Sequence, residues 1–161
     1  MTKKICFALL LVLSFTSTQR AGSDAGIPYP AGYRHWVHVG TSIVGPASPF
    51  FAGSGGIHHI YANPQAMAGY ESGKFPEGSV IVFDLLDTKE ADGLVLEGAR
   101  RRLDVMLKDS RRFAATGGWG FERFRGDSET DRPLTEENRA QCFSCHGKQK
   151  AQDFVFSKYR K

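Results

Sequence analysis

Cysteine, net charge and long apolar runs are all scarce in this chain of 161 residues, and each shortage excludes a class of protein. Three cysteines are too few for a disulfide-stapled scaffold. A formal charge of +4, from 21 basic against 17 acidic residues, gives no basis for a nucleic-acid partner. The apolar run at residues 5–15 is too short to cross a bilayer as a helix, so we expect no stable membrane anchor.

Composition places the chain among folded globular domains. Hydrophobic residues make up 41% and charged residues 24% of the sequence, which is close to the average of soluble domains and unlike disordered or fibrous chains. The length corresponds to one domain, and the sequence contains no internal repeat or low-complexity tract. We therefore expect a single folded unit.

Residues 1–25 have the pattern of a secretory signal peptide. Lys3 and Lys4 precede the apolar run, and small and polar residues follow it up to Ser23-Asp24-Ala25. We therefore expect cleavage at the end of this stretch, a mature domain of residues 26–161 and a periplasmic location. Cys6 would leave with the peptide, so the mature domain keeps two cysteines. An uncleaved anchor or a buried N-terminal helix are the alternatives.

Strand-like patterns dominate the mature domain. Five segments are rich in Val, Ile and Phe or alternate apolar with polar residues: 57–62, 79–86, 94–96, 102–108 and 119–124. We also predict a polar turn over residues 87–93 and a last short strand over residues 153–156. Residues 45–56 contain four glycines and two prolines and are typical of a long loop.

Helix signals occur at two places in the chain. Asn63-Pro64 predicts the start of a helix over residues 65–71, because proline suits the first helical position. Thr135 can cap a second helix that runs into Cys142. Together these patterns predict an α+β fold, a mostly antiparallel β-sheet with a few short helices.

Residues 142–146 carry the chemistry of the chain. Cys142-Phe143-Ser144-Cys145-His146 is a C-x-x-C-H sequence, the attachment signature of c-type haem. Two thiols three residues apart on one helical turn can both form thioethers with the haem vinyl groups, and the adjacent histidine is then the proximal iron ligand. We therefore expect one covalent haem c per chain, with Cys142, Cys145 and His146 on the C-terminal helix.

Three other structures use paired cysteines, and the sequence context disfavours each of them. A thioredoxin-like dithiol follows the first strand of a βαβ unit, whereas this motif lies near the C-terminus of a chain without βαβ alternation. A structural zinc site needs further ligands at suitable spacing, and no second C-x-x-C or H-x-x-x-H is present. A simple disulfide is the third alternative.

The order of motifs along the chain resembles the cytochrome P460 family, which includes the sheet-rich cytochromes c-prime. The landmarks, in chain order, are Tyr33-Arg34-x-Trp36-x-x-Val39-Gly40-Thr41, Tyr61-x-Asn63-Pro64, Gly73-Lys74-Phe75-x-x-Gly78-x-Val80-x-Val82, Lys108-Asp109-Ser110-x-Arg112-Phe113, Gly118-Trp119-x-Phe121, the Cys142–His146 motif and Val155-Phe156. The resemblance implies a sheet-rich homodimer in which each subunit holds one haem, with histidine on one side of the iron and an open position on the other.

The resemblance also implies a role for Phe83. Founding members of the family oxidise hydroxylamine and carry a lysine cross-linked to the haem macrocycle, and the position that matches this lysine is Phe83. Sheet-rich cytochromes c-prime lack the cross-link and have phenylalanines over the distal iron face. Phe83 is therefore expected to form an apolar distal wall, which favours small neutral gases such as nitric oxide or carbon monoxide. The alternative is that Phe83 is an ordinary core residue, and Phe50 and Phe51 are weaker distal candidates.

Asp104 matches a carboxylate that the hydroxylamine oxidisers use near the haem. Strand alternation separates Asp104 from Leu103 and Val105 and can direct it into the pocket, where an acid can relay protons. Alternatively, Asp104 pairs with one of the arginines at positions 100–102. These arginines are themselves candidates for contact with a haem propionate or a redox partner protein, or for a solvated strand edge.

Two function classes compete with gas binding. A haem enzyme would oxidise hydroxylamine or reduce peroxide at the open iron position. A low-spin electron-transfer cytochrome would use His58, His59 or Met106 as a sixth ligand. The leading hypothesis remains an exported cytochrome with a five-coordinate haem and an apolar distal pocket.

Overall fold

The computed structural model describes residues 26–160. The predicted signal peptide and Cys6 lie outside these residues. Five antiparallel strands form one sheet within the described part: β1 (Val37–Val44), β2 (Gly56–Ala62), β3 (Val80–Ala91), β4 (Leu94–Lys108) and β5 (Trp119–Arg125). Each strand pairs with its neighbour in the sequence, in the order β1-β2-β3-β4-β5.

Short helices connect and flank the strands. The α-helices are α1 (Phe51–Ser54), α2 (Pro64–Ser72) and α3 (Glu136–His146), and the 3-10 helices are Tyr33–His35, Ala114–Thr116 and Gly147–Gln152. The predicted α+β fold is confirmed. None of the helices between residues 26 and 160 is long and apolar enough to cross a membrane.

The β3–β4 hairpin is longer than the sequence patterns predict. The polar turn expected over residues 87–93 is wrong, because β3 continues to Ala91 and β4 begins at Leu94. Asp92 and Gly93 form the turn with φ angles of 52° and 79°, the left-handed conformations that a tight hairpin requires. The hairpin therefore extends beyond Leu86, the last β3 residue that pairs with β2.

Two further segments differ from their predictions. The loop predicted over residues 45–56 contains the short helix α1 and, at Gly56, the start of β2. The short strand predicted over residues 153–156 is wrong. Asp153 and Phe154 have positive φ angles of 48° and 67°, which turn the backbone away from an extended conformation. The Phe and Val content of this segment reflects burial in the core rather than strand pairing.

The register aligns one row of side chains across four strands. Ile60 pairs with Phe83, Phe83 with Asp104, and Asp104 with Arg123. Since paired residues of an antiparallel sheet point to the same side, these side chains share one face. Met106, two residues after Asp104 on β4, lies on the same face. We call this face of the sheet the cavity face.

The opposite face holds a second core with a buried acid at its centre. Its apolar residues are Ile27, Tyr33, Val82, Leu103, Val105 and Phe124. Asp84 is fully buried there and accepts hydrogen bonds from the Tyr33 hydroxyl at 2.6 Å and from Arg100 Nε at 2.7 Å, as well as from Arg34. Burial alone would raise the pKa of Asp84, but these hydrogen bonds outweigh it and hold the pKa below its ordinary value.

Candidate functional site

Helix α3 presents the three residues of the C-x-x-C-H motif. Thr135 and Asn138 form a capping box, in which each side chain accepts a hydrogen bond from the backbone N–H of the other. This cap fixes the helix start, and Cys142, Cys145 and His146 follow in its last two turns. Residues three and four apart share a helix face, so the two thiols point to the same side. Cys142 is half-buried, Cys145 is exposed, and both are free thiols.

One hydrogen bond fixes the orientation of His146. Its Nδ1 lies 2.8 Å from the carbonyl oxygen of Phe154. A carbonyl can only accept, so Nδ1–H donates and the lone pair of the neutral ring is left on Nε2. Burial lowers the pKa of His146, although its bond to Phe154 opposes that shift, and the neutral imidazole is the form that binds metals. The ring lies between Phe121 and Phe156, with centroid distances of 5.1 Å to each.

The turn at Asp153 and Phe154 brings that carbonyl back to the helix. The Asp153 carboxylate accepts a hydrogen bond from Lys108 Nζ at 2.9 Å and from the backbone N–H of Phe75 at 2.9 Å. Its backbone carbonyl accepts from Trp119 Nε1, also at 2.9 Å. The left-handed turn therefore has hydrogen bonds to β4, to β5 and to the segment after α2. These bonds fix the Phe154 carbonyl, which in turn orients His146.

A cavity of about 560 Å³ lies beside the motif. This volume is within the range of pockets that hold small molecules and cofactors. Its lining combines both motif cysteines and His146 with residues of the cavity face and of the C-terminal segment. Apolar and polar side chains both line it, among them Ser42, Ser54, Ile60, Ile81, Phe83, Arg102, Asp104, Met106, Phe121, Arg123 and Phe156.

One side of the cavity is charged. Asp104 lies between two arginines, with Oδ2 2.9 Å from Arg102 Nε and Oδ1 2.5 Å from Arg123 Nε. The two alternatives for Asp104, a position in the pocket and pairing with an arginine, therefore occur together. The distal pocket expected to be apolar is apolar on one side only, because Asp104 and Arg123 share a row with Phe83 and Arg102 lies on the same face two residues before Asp104.

The other side of the cavity is apolar. Phe83, Ile60 and Ile81 line it from β2 and β3, and Met106 from β4. The ring of His58 packs against Phe83 with a centroid distance of 4.4 Å, but His58 itself does not line the cavity. This wall offers no hydrogen-bond donor to a ligand.

A family model of known proteins matches residues 30–157, which is most of the chain, and its description is Cytochrome P460. The chain belongs to the cytochrome P460 family. The resemblance drawn from the sequence motifs is therefore confirmed. A search of curated proteins finds no match. Membership in this family supports a c-type haem cytochrome and implies a haem cofactor.

The side chains around the cavity of this cytochrome P460 protein fit a haem group. Two thiols and a neutral imidazole lie on one wall, as the attachment motif requires. Apolar side chains such as Phe83, Ile60 and Ile81 suit the faces of a macrocycle. When bound, the haem would supply an iron for His146 to ligate.

Several predicted residues of the cytochrome lie away from the cavity. Phe50 and Phe51 are 73% and 42% exposed, and neither lines the cavity, because they lie at the start of a short helix at the surface. His59 lies on the opposite face of the sheet. Its Nε2 lies 2.7 Å from Glu97 Oε1. Arg100 binds the buried Asp84 on that same face.

The sequence did not indicate several of the cavity residues, among them Arg123, Ser42 and Ser54. Phe121 and Arg123 are two residues apart on β5, and side chains two apart on a strand share a face. This spacing was visible in the sequence and could have indicated Arg123. Ser42 and Ser54 carried no such signal, since a serine in a strand or loop is common at the surface. Only the pairing of β1 with β2 and the position of α1 bring them to the cavity.

Proposed function

We propose that the protein is an exported cytochrome with one covalent haem c per chain, which binds nitric oxide or a similar small neutral gas at a five-coordinate iron. One observation carries this proposal: Phe83 lines the cavity at the position where the family resemblance expects the cross-linking lysine of hydroxylamine oxidisers. A phenyl ring cannot form that cross-link, and it supplies an apolar surface instead.

The apolar wall supports selection by polarity and size. Phe83, Ile60 and Ile81 exclude water from their side of the cavity and give no hydrogen bond to an anion. Anions lose strong hydration when they enter such surroundings, whereas neutral diatomic gases lose little. This side therefore favours nitric oxide or carbon monoxide.

The charged side is already satisfied by internal pairs. Arg123 binds both oxygens of Asp104, with Nη2 at 3.1 Å from Oδ2, and Arg102 binds Asp104 through Nε. Arg102 also donates to the Gly53 carbonyl at 2.6 Å. Because these donors have partners within the protein, they are less available to an anionic ligand, which again supports a neutral one.

A hydroxylamine-oxidising or peroxide-reducing enzyme is the second candidate, and Asp104 is the observation that favours it. Its carboxylate lies on the cavity face and can accept a proton from a substrate held there. Turnover of hydroxylamine with an electron acceptor, and its reduction in Asp104→Ala, would support this function. A turnover rate unchanged by Asp104→Ala would remove Asp104 from the mechanism.

A low-spin electron carrier needs a sixth iron ligand, and of the three candidate residues only Met106 lines the cavity. His58 lies behind Phe83 and His59 lies on the opposite face of the sheet. A high-spin spectrum in both oxidation states would contradict sixth ligation by Met106, and a low-spin spectrum that becomes high-spin in Met106→Leu would support it.

We also propose that the protein acts in the periplasm as a homodimer and exchanges electrons with a protein partner. The end of the β3–β4 hairpin exposes Leu94, Val95 and Leu96 and carries charges of both signs at Lys89 and Glu90, so two copies can pair through the same surface. Exposed cations follow the motif in the C-terminal segment and suit an acidic redox partner: Lys148, Lys150, Lys158 and Arg160.

The decisive experiment is an absorption spectrum of the protein matured with covalent haem, recorded oxidised, reduced, and reduced under carbon monoxide or nitric oxide. We expect a high-spin spectrum of ordinary c type that shifts when either gas is added. A ferrous protein that is inert to both gases would overturn the proposal. A strongly red-shifted ferrous band would indicate a macrocycle cross-link formed despite Phe83 and would favour hydroxylamine oxidation.

A further inference from the structure

His58 is buried at the cavity face without reaching the cavity. Its side chain belongs to β2, and the residue is 5% exposed. It does not line the cavity, yet it contacts two neighbours that do, Phe83 and Ser54. A buried imidazole that touches two parts of a cavity wall can set their positions relative to each other.

The first contact supports the distal phenyl ring. The rings of His58 and Phe83 meet edge to face, with a centroid distance of 4.4 Å and an interplanar angle of 67°. Such a contact is one of the preferred geometries of aromatic pairs and restricts the rotation of both rings. Because His58 stands behind Phe83 rather than in the cavity, it limits how far the phenyl ring can withdraw.

The second contact holds the end of α1. His58 Nε2 donates a hydrogen bond to the backbone carbonyl of Ser54. The carbonyls on either side have partners as well, since Gly53 accepts from Arg102 and Gly55 accepts from Arg101, each at 2.6 Å. Arg102, His58 and Arg101 therefore donate hydrogen bonds to the carbonyls of three consecutive residues, 53 to 55. These bonds fix the end of α1, where Ser54 lines the cavity.

We propose that His58 is a positioning residue, which sets the width of the cavity by holding the Phe83 ring and the end of α1 together, and is not an iron ligand. The gas-binding part of this inference rests on the proposed function. The part that concerns α1 does not, because it can be measured on the protein without any gas.

Two variants separate the contacts of His58. His58→Gln keeps an N–H donor for Ser54 but removes the ring, so the Phe83 ring gains room to withdraw. We expect carbon monoxide to bind the ferrous protein several-fold faster in flash photolysis. His58→Phe keeps a ring against Phe83 but removes the donor. We expect amide hydrogen exchange to rise roughly tenfold at residues 54 and 55, whose N–H groups close α1 on the carbonyls of Phe50 and Phe51.

His59→Gln is the matched control, because it is the adjacent residue on the opposite face of the sheet. Its side chain contacts Thr41 and Glu97 and neither Phe83 nor α1. Carbon monoxide kinetics and exchange at residues 54 and 55 should be unchanged in this variant. If both His58 variants match His59→Gln in both measurements, the proposal is overturned.

Two other outcomes distinguish this inference from the proposed function. A low-spin wild-type spectrum that becomes high-spin in both His58 variants would overturn the inference and identify His58 as an iron ligand. A wild-type protein that does not bind carbon monoxide would contradict the proposed function, while faster exchange at residues 54 and 55 in His58→Phe would still support the role of His58 at α1.

Discussion

His146 Nδ1 and the Phe154 carbonyl oxygen, eight residues apart in sequence, lie 2.8 Å from each other. This bond gives the motif histidine a fixed tautomer and a fixed direction, and it depends on the left-handed turn at Asp153 and Phe154.

Replacing His146 by glycine should remove the iron ligand but leave the haem attached. The thioethers of Cys142 and Cys145 would still hold it, so the polypeptide should stay coloured after denaturation in acid. The absorption bands should shift, and added imidazole should restore most of the original spectrum, because it can occupy the space of the missing ring. His59→Gly, on the opposite face, should leave the spectrum as it is, and a His146→Gly protein with the wild-type spectrum would contradict the assignment.

Asp153→Asn should destabilise the protein by about 1–3 kcal/mol, because it removes the charge that pairs with Lys108 in a largely buried site. The amide oxygen can still accept the hydrogen bond from the Phe75 N–H. Urea unfolding of the haem-loaded protein measures the difference in the free energy of unfolding. Asp131→Asn is the control: its pair with Arg125 is exposed and should be worth less than about 0.5 kcal/mol. Equal effects of the two variants would refute a special role for the turn.

Asp84 should make stability depend on pH in the acid range. Its pKa in the folded protein is lower than the value of about 3.9 expected in the unfolded chain, so the unfolded state binds more protons at low pH. The stabilisation is complete above pH values near 4 and is lost as the pH falls through the folded pKa. Urea midpoints measured from pH 6 to pH 2 should fall, and the fall should be smaller in Asp84→Asn.

The Tyr33→Phe variant tests the hydrogen bond from the Tyr33 hydroxyl to Asp84 separately from the bonds of the two arginines. It removes the hydroxyl that lies 2.6 Å from Asp84 while keeping the ring in the core, and it should cost about 1–3 kcal/mol at neutral pH. A cost near zero would mean that the two arginines alone satisfy the Asp84 carboxylate. Tyr159→Phe, at an exposed position, provides the comparison.

Asp104→Asn should raise the reduction potential of the haem. The substitution removes a negative charge from the cavity and leaves Arg102 and Arg123 without a counter-ion, and added positive charge disfavours the oxidised iron. We expect an increase of tens of millivolts by spectroelectrochemical titration. Asp87→Asn removes an acid paired with Arg101 at the surface and should change the potential much less. A lower potential in Asp104→Asn would have the wrong sign for this explanation.

A lysine at Val95 should dissociate the proposed homodimer. The side chain is 48% exposed at the end of the hairpin, and a charge there opposes the burial of Leu94 and Leu96 against a second copy. Sedimentation velocity should show dimers for the wild type and monomers for Val95→Lys, with the absorption spectrum unchanged. A monomeric wild-type protein would contradict the dimer. Ile43→Lys, which exposes a similar charge on β1, should remain dimeric.

Local patterns in the sequence predicted much of the fold and the cavity. The motif at residues 142–146, the Thr135 cap and the alternation around Asp104 are short-range signals. Regular helix and strand geometry then determines on which face each of these side chains lies. The course of the β3–β4 hairpin was not predictable in this way. Lys89 and Glu90 have weak strand propensity, and they are extended because they pair with Leu96 and Val95 across the Asp92-Gly93 turn.

Residues whose positions depend on distant contacts were the ones that the sequence left open. The segment after His146 contains Phe154, Val155 and Phe156, a composition typical of a strand, but contacts of Asp153 with β4 and β5 turn it back onto α3. Similarly, Phe50 and Phe51 are apolar enough for a pocket, yet they lie at the start of a four-residue helix at the surface. Propensity alone does not determine either outcome, because both depend on tertiary contacts.

The succession of strands in the sheet also has a consequence for the order of assembly. Every strand pairs with the strand that precedes or follows it in the chain, so the contacts of the sheet join neighbouring segments and can form early. The segment that carries the motif follows β5 in the chain, so we expect it to dock after the sheet has formed. Both thiols would then remain in an open, unpacked stretch of chain during the interval in which haem has to be joined to them, and docking of His146 would complete the fold around the attached group.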